Sequence, residues 1–307
     1  LANRMPKRDG GIALAHFLSR NGRILGEATV TRISGEHFYL LSAASAELRD
    51  LDHLVQQVQV GEQVEIRNTT EERGVIVLAG PKARDVLSAL TDASLENADF
   101  PWRTAQHIEI GGVPTLALRI NYVGELGWEL HPAMADLPAL YAAVWAAGEA
   151  HGIADFGLYA MNSLRMEKGY RHWGHDIYDH ITPAQAGLNF AVAKDKYDFI
   201  GCDALATQHG KQQRRLVHLA INSDDAPFMI HDEPVYRDGE AVGLTTSAAW
   251  GHRVGKSLAI AELTHPQGVT REWLAAGAFE VEIALQRYPI TVQLAPFYDP
   301  KSERMKD

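Results

Sequence analysis

The sequence predicts an α+β fold with antiparallel sheets packed by helices, followed by a C-terminal β-barrel. Three observations lead there. Turn signals join alternating apolar runs into hairpins over residues 12–45 and 107–123. Helical apolar spacing fills the segments around them. From Arg214 onward the texture changes to short strands joined by tight turns.

The elements follow in order. Asn21-Gly22 lies between AHFLSR and ILGEATVTRIS, a strong hairpin signal. Ser34-Gly35-Glu36 turns the chain into HFYLLSA. Residues 46–60 place Leu48, Leu51, Leu54, Val55 and Val58 on one side of a helix. GVIVLAG (74–80) is a short apolar run and reads as a buried strand. Pro81 can open the next helix, where its missing N–H costs nothing, and Val86, Leu87 and Leu90 share one face. Gly111-Gly112 turns HIEI into VPTLALRINYV, with Leu116, Leu118 and Ile120 pointing inward. Asp136 caps a helix that carries Leu140, Tyr141, Val144 and Trp145. Residues 157–170 form another helix, stopped by Gly169. The stretch 171–213 is mostly loop. RLVHLAI, PVYRDGEAVGLTTS, SLAIAEL, FEVEIAL and YPITVQL then supply barrel strands, and PFYDPKSERMKD reads as a solvated tail. A boundary near residue 210 divides 1–210 from a barrel and tail at 211–307.

Composition excludes several classes. Lys+Arg number 29 and Asp+Glu 39, a net charge of −10, which argues against a nucleic-acid groove. The single Cys202 excludes an internal disulfide framework and a cysteine-rich metal centre; it reads as a small hydrophobe. No apolar run approaches the ~18 residues of a membrane span. The basic opening LANRMPKRDGG lacks the apolar stretch of a signal peptide, and it starts with Leu, so the chain is expected to be processed or cut from something longer. A cytoplasmic location is expected, or the mitochondrial matrix in a eukaryote. No dinucleotide fingerprint, phosphate-binding P-loop or H-E-x-x-H is present, so no FAD is expected in this chain. His172, His175, Asp176 and Asp179 lie close together, but surface polar residues in a loop account for them better than a metal. KQQRR (211–215) reads as a linker before a strand, with a phosphate grip as the lesser alternative.

NYVGELGWEL (121–130) holds the densest unexplained polarity. Gly124 and Gly127 bracket a turn and permit close backbone approach. An aromatic beside a carboxylate suits a flat heterocycle with N–H donors: the ring covers its face and the carboxylate accepts in-plane hydrogen bonds. Spacing alone fits an ordinary hairpin with solvated glutamates better.

Five segments in order carry a family resemblance: NYVGELGWEL, YAMNSLRMEKGYRHWGHDI (159–177), TPAQAGLNFAV (182–192), DFIGCDAL (198–205) and GLTTSAAWGHRVGKSLAIAEL (243–263). Together they resemble the folate-binding region of the glycine-cleavage aminomethyltransferase family. They are closer still to the C-terminal half of dimethylglycine and sarcosine dehydrogenases, which the opening LANRMPKRDGGIALAHFLSRNGRILGEATVTR also resembles. The resemblance implies three lobes around a tetrahydrofolate channel with a C-terminal barrel, and a start of the first lobe that would precede Leu1.

Site residues follow from the same resemblance. Tyr122 and Glu129 fall where the family has a tyrosine and a pterin-binding glutamate. Trp173 replaces a family tyrosine and would wall the pterin. Glu27 occupies the position of the catalytic aspartate, one methylene longer. Met161 stands where the family has a folate-contacting arginine. Arg165 and Glu167 match a motif and read as a buried structural pair. The implied activity is tetrahydrofolate-dependent one-carbon transfer as the folate part of a dimethylglycine/sarcosine dehydrogenase-like protein. The implied partners are a small methylated amine or related donor and an FAD oxidoreductase domain or subunit. A free-standing tetrahydrofolate-dependent methyltransferase or demethylase, and a non-catalytic folate-binding module, are the alternatives.

Overall fold

The computed structural model describes residues 1–208, 210, 212–223, 225 and 227–307. Lys211 of the KQQRR segment therefore lies outside the described residues. The chain forms two compact units. The first comprises Leu1–Arg4, Ala15–Leu25 and Phe156–Lys301; the second comprises Met5–Leu14, Gly26–Asp155 and Ser302–Asp307.

The second unit holds two antiparallel sheets and three helices. Strands β1 (Ile12–Leu18), β2 (Ile24–Ser34) and β3 (His37–Ser42) form one sheet, with β1 and β2 each also reaching into the first unit. Helix α1 (Glu47–Gln56) follows. Strand β4 (Ile76–Ala79), helix α2 (Ala83–Ser88), strands β5 (Ala105–Ile110), β6 (Val113–Leu118) and β7 (Gly127–Pro132) and helix α3 (Leu137–Gly148) complete the unit. Sheet order is β4-β7-β6-β5. One face of this sheet packs on α2 and α3: Leu78, Ile110, Ala117, Trp128 and Leu130 meet Val86, Leu87, Leu140 and Val144. The other face presents Leu116 and Leu118, which pack with Ile12, Ile33, Tyr39 and Leu41. A strand buried on both faces has no polar alternation, and VPTLAL shows none.

The first unit holds α4 (Leu158–Lys168), α5 (Cys202–Ala206), α6 (Arg271–Ala275) and a closed barrel. The barrel strands are β8 (Arg214–Ile221), β9 (Pro234–Arg237), β10 (Glu240–Gly251), β11 (Lys256–Thr264), β12 (Phe279–Ile283) and β13 (Gln286–Gln293), in the order β10-β11-β8-β13-β12-β9. Closure leaves no edge strand to aggregate. Gly169 ends α4 at φ +69, as a left-handed cap requires, and Asp238-Gly239 turns β9 into β10 with both residues at positive φ.

Three expectations need correction. Helix α1 stops at Gln56, and its apolar side is not a core face: Leu48 is 75% and Val55 52% exposed. Periodicity reports a stripe but not what covers it. Asp136 sits at the start of α3, yet its side chain makes no capping hydrogen bond. The C-terminal tail is anchored rather than solvated. Asp299 pairs with buried Lys168 at 2.8 Å, Met305 is buried, and the Asp307 oxygen accepts from Arg119 at 2.9 Å and from Arg84. A buried lysine or arginine demands an acceptor, and the tail supplies it.

His218 on β8 is buried, and burial pulls its pKa from the ordinary value to about 3, with Arg171 adding in the same sense. The folded state therefore keeps the ring neutral while the unfolded state protonates it near pH 6.5. Stability is fully present above that value and falls as pH drops toward the folded pKa, by up to about 1.4 kcal/mol per pH unit for one such ring. Urea midpoints measured from pH 7 to 5 should fall, and His218→Gln should flatten the slope. An unchanged slope in the variant would contradict the assignment.

Candidate functional site

Asn121 closes the loop that leads into β7. Its Oδ1 accepts from the amides of Val123 at 3.1 Å and Gly124 at 2.9 Å, and its Nδ2 donates to the Glu125 carbonyl at 2.8 Å. One side chain thus satisfies three backbone groups and holds residues 121–125 compact. Gly124 takes φ +75, the conformation that favours glycine. Gly127 answers a different need: a Cβ there would stand 2.3 Å from the Leu78 carbonyl oxygen. Gly127→Ala should therefore cost about 1–3 kcal/mol through forced backbone displacement. Urea denaturation reads this, and an unchanged midpoint would show that the β4–β7 contact yields freely.

Strand alternation sends Trp128 and Leu130 into the helix-backed core and Glu129 and His131 to the opposite face. Glu129 lies in register with Val77 on one side and Leu118 on the other. Its side chain is 18% exposed, while that of His131 is fully buried. His131 Nε2 stands 3.6 Å from Glu129 Oε2, and its Nδ1 is 3.3 Å from the Tyr39 hydroxyl. The two rings meet edge to face, and the Arg73 guanidinium lies 5.7 Å from the centre of the Tyr39 ring. Burial raises the Tyr39 pKa; Arg73 opposes this and Glu129 reinforces it. The phenol therefore keeps its proton.

Glu27 reaches the same region from the other sheet. Thr29 pairs with Leu41 and Thr31 with Tyr39, so Thr29, Thr31 and, two residues back, Glu27 lie on the face of the sheet that carries Tyr39 and Leu41 of β3. That face packs on Leu116 and Leu118 of β6. Two carboxylates, Glu27 and Glu129, thus sit on facing sheets with an apolar cluster between the sheets; both are half-buried. Tyr122, also half-buried, lies in the Asn121 loop. These three residues belong to the second unit. Trp173 belongs to the first, where it packs with Ile177 and Ile181 and bridges to Ile177 by backbone. Met161 is half-buried on α4.

The structure corrects the reading of several neighbours. Glu125 is 6% exposed, not a solvated hairpin residue. Asp176 is not a surface loop residue either: it is fully buried and accepts four hydrogen bonds. Arg165 Nη1 and the His172 amide donate to one oxygen at 2.8 Å each, and the hydroxyls of Thr246 and Ser247 donate to the other at 2.5 and 2.6 Å. Arg165 and Glu167 are both buried, but they do not bond each other. Glu167 instead accepts from the amides of Arg253 at 2.6 Å and Val254 at 2.9 Å. The His172 and His175 rings lie 4.7 Å apart, tilted by 32°, and among the described residues no cluster of His, Cys, Asp and Glu could hold a metal ion. Tyr39 and His131 escaped sequence reasoning. His131 was within reach of it, because a residue two beyond Glu129 on a strand shares its face.

An α+β body with a closed six-stranded C-terminal barrel is the aminomethyltransferase fold. The chain superposes on the glycine cleavage system aminomethyltransferase T from Bartonella henselae with a TM-score of 0.81 at 23% identity, over 95% of this chain and 77% of that one. Residues 1–196 match the GCVT N-terminal domain, and 214–299 match the glycine cleavage T-protein C-terminal barrel domain. The chain belongs to the glycine cleavage T-protein family. It is 37% identical to the mitochondrial dimethylglycine dehydrogenase of Homo sapiens, over 99% of this chain and 35% of that protein. It is 31% identical to an aminomethyltransferase of Listeria welshimeri, over 91% of this chain and 74% of the relative. It thus spans about a third of the dehydrogenase and about three quarters of the aminomethyltransferase. No helix among the described residues is long and apolar enough to cross a membrane.

Proposed function

We propose that this chain performs tetrahydrofolate-dependent one-carbon transfer as the folate-binding part of a dimethylglycine/sarcosine dehydrogenase-like protein. The observation that carries the reading is the half-buried Glu129 carboxylate, held on a rigid strand and entered through the Asn121 loop that bears Tyr122. A carboxylate acceptor beside an aromatic suits a pterin. A fixed carboxylate accepts the two adjacent N–H groups of the heterocycle edge, and a nearby aromatic suits its face. Tetrahydrofolate, when bound, supplies the nitrogen nucleophile to which a one-carbon unit is attached.

The protein's own groups do the rest. Glu129 binds and orients. Glu27, on the facing sheet, is the carboxylate placed to take up a proton or to balance a developing positive charge. The apolar wall of Leu116 and Leu118 limits water, which would hydrolyse an activated one-carbon donor. A small methylated amine as donor and a flavin oxidoreductase domain or subunit as partner belong to the same proposal, as does a mitochondrial matrix location in a eukaryotic source. The higher identity to dimethylglycine dehydrogenase than to the free-standing aminomethyltransferase supports that placement. Isothermal titration of the chain with tetrahydrofolate tests the reading. Saturable binding is expected, and its absence in a folded protein would overturn it.

A further inference from the structure

We propose that His131 is a positioning residue for Glu129: the acceptor-only carboxylate facing Nε2 selects the Nε2–H tautomer, the Tyr39 hydroxyl satisfies Nδ1 by donating to it, and the Nε2–H holds the Glu129 carboxylate in its ligand-binding orientation. The inference rests on the reading of Glu129 as a ligand-binding carboxylate.

Three features of the second unit carry it. His131 is fully buried, so water cannot satisfy its ring nitrogens. Nδ1 faces the Tyr39 hydroxyl at 3.3 Å. Nε2 has no hydrogen-bond partner at normal length and faces Glu129 Oε2 at 3.6 Å, just beyond that length. A neutral ring carries its hydrogen on one nitrogen only. With the hydrogen on Nδ1, the Nε2 lone pair would point at a carboxylate oxygen in a poorly solvated place, and the two would repel. With the hydrogen on Nε2, the Tyr39 hydroxyl donates to Nδ1 and the Nε2–H dipole points at the carboxylate. Both contacts are then attractive. A doubly protonated ring would place a hydrogen on Nε2 as well, with the Tyr39 oxygen as acceptor. Nε2 is therefore a donor in either charge state that fits the geometry.

The consequence is orientational. A glutamate has three rotatable bonds, and an exposed one samples many rotamers. A short move closes 3.6 Å to hydrogen-bond length when a ligand engages the carboxylate, as contacts in ligand-free sites commonly tighten on binding. The carboxylate that decides the tautomer lies two residues away along β7, and the hydroxyl that satisfies Nδ1 comes from β3 of the other sheet. The Arg73 guanidinium lies over the Tyr39 ring, 5.7 Å from its centre.

Two measurements test this. Long-range ¹H–¹⁵N correlation of the ligand-free protein at pH 8, above the ordinary histidine range, reads the His131 tautomer directly. Nε2–H is expected; Nδ1–H would overturn the proposal whatever the protein binds. The second measurement is a mutant cycle read by tetrahydrofolate titration. Asparagine at 131 can place its amide near the Nδ1 position but cannot reach Glu129, whereas glutamine can reach the Nε2 position. His131→Asn should weaken affinity by about tenfold, about 1.4 kcal/mol, and His131→Gln by less than about threefold. A merely structural role would make the two alike, because both replace a buried ring by an amide. In a Glu129→Gln background His131→Asn should add little, since the carboxylate through which it acts is gone. Additive losses, or equal affinity of His131→Asn and wild type, would overturn the positioning role. If Glu129→Gln itself binds as wild type does, the reading of Glu129 fails first, and the tautomer measurement still judges the Tyr39–His131 half.

Discussion

Replacing Glu129 by glutamine should weaken tetrahydrofolate binding by about tenfold or more while leaving the fold intact. The swap is isosteric, and the residue is half-buried on a strand whose register with Leu118 and Val77 is set by backbone hydrogen bonds. Only the acceptor pattern changes. A carboxylate accepts two parallel N–H groups, but an amide turns its NH₂ toward one of them. An unpaired donor in a desolvated site costs about 1–3 kcal/mol, and about 1.4 kcal/mol is a factor of ten. Glu125 would be a poor control, because it is buried in the loop that Asn121 closes. Glu109 on β5 is exposed and serves better; Glu109→Gln should leave affinity unchanged. Equal affinities for wild type and Glu129→Gln, both folded, would remove Glu129 from the site.

Loss of Asp176 should have the larger energetic effect, and on stability rather than binding. All four of its acceptor positions are used, one by the guanidinium of Arg165, itself 2% exposed. Asp176→Ala leaves that charge buried without its counter-ion and strands the Ser247 hydroxyl and the His172 amide, while Thr246 keeps the Ile260 carbonyl as acceptor. Breaking a buried pair from one side costs about 3–5 kcal/mol. Urea denaturation should show this drop. The double replacement Arg165→Met/Asp176→Leu should cost less than Asp176→Ala alone, because no charge is left behind. A loss under about 1 kcal/mol for Asp176→Ala would mean that the network is worth little. Should Asp176→Ala fail to fold, the double variant still decides, since a pair that matters only by mutual compensation predicts that it folds.

Much of the architecture was legible in the chain. Gly111-Gly112 and Asp238-Gly239 announced their hairpins, because both residues of each pair take positive φ, which glycine and aspartate accept readily; at Asn21-Gly22 only Gly22 takes positive φ, within a longer connection over residues 19–23. Gly169 announced the end of α4 for the same reason. The barrel strands were readable from their short length and regular turns. Family membership was legible because five segments preserve order and residue type over nearly the whole length.

The same local signals misled wherever burial depends on a distant partner. The stripe on α1 looked like a core face, but Leu48 and Val55 remain more than half exposed. Asp176 and Glu125 looked solvated, since local sequence cannot announce that Arg165 sits eleven residues upstream and Thr246 seventy downstream. The tail looked loose because Lys168 and Arg119, which it satisfies, lie far back in the chain.

The candidate site divides along the same line. Tyr122, Glu129 and their glycines belong to one continuous segment, so their proximity follows from chain connectivity and strand alternation. Tyr39 comes within reach of His131 from ninety-two residues away, and Glu27 reaches the neighbouring face from a different sheet. Strand pairing and hydrophobic packing bring those groups together. Both depend on non-local contacts, whose sequence cost is spread over many interchangeable apolar residues and therefore leaves no motif to read.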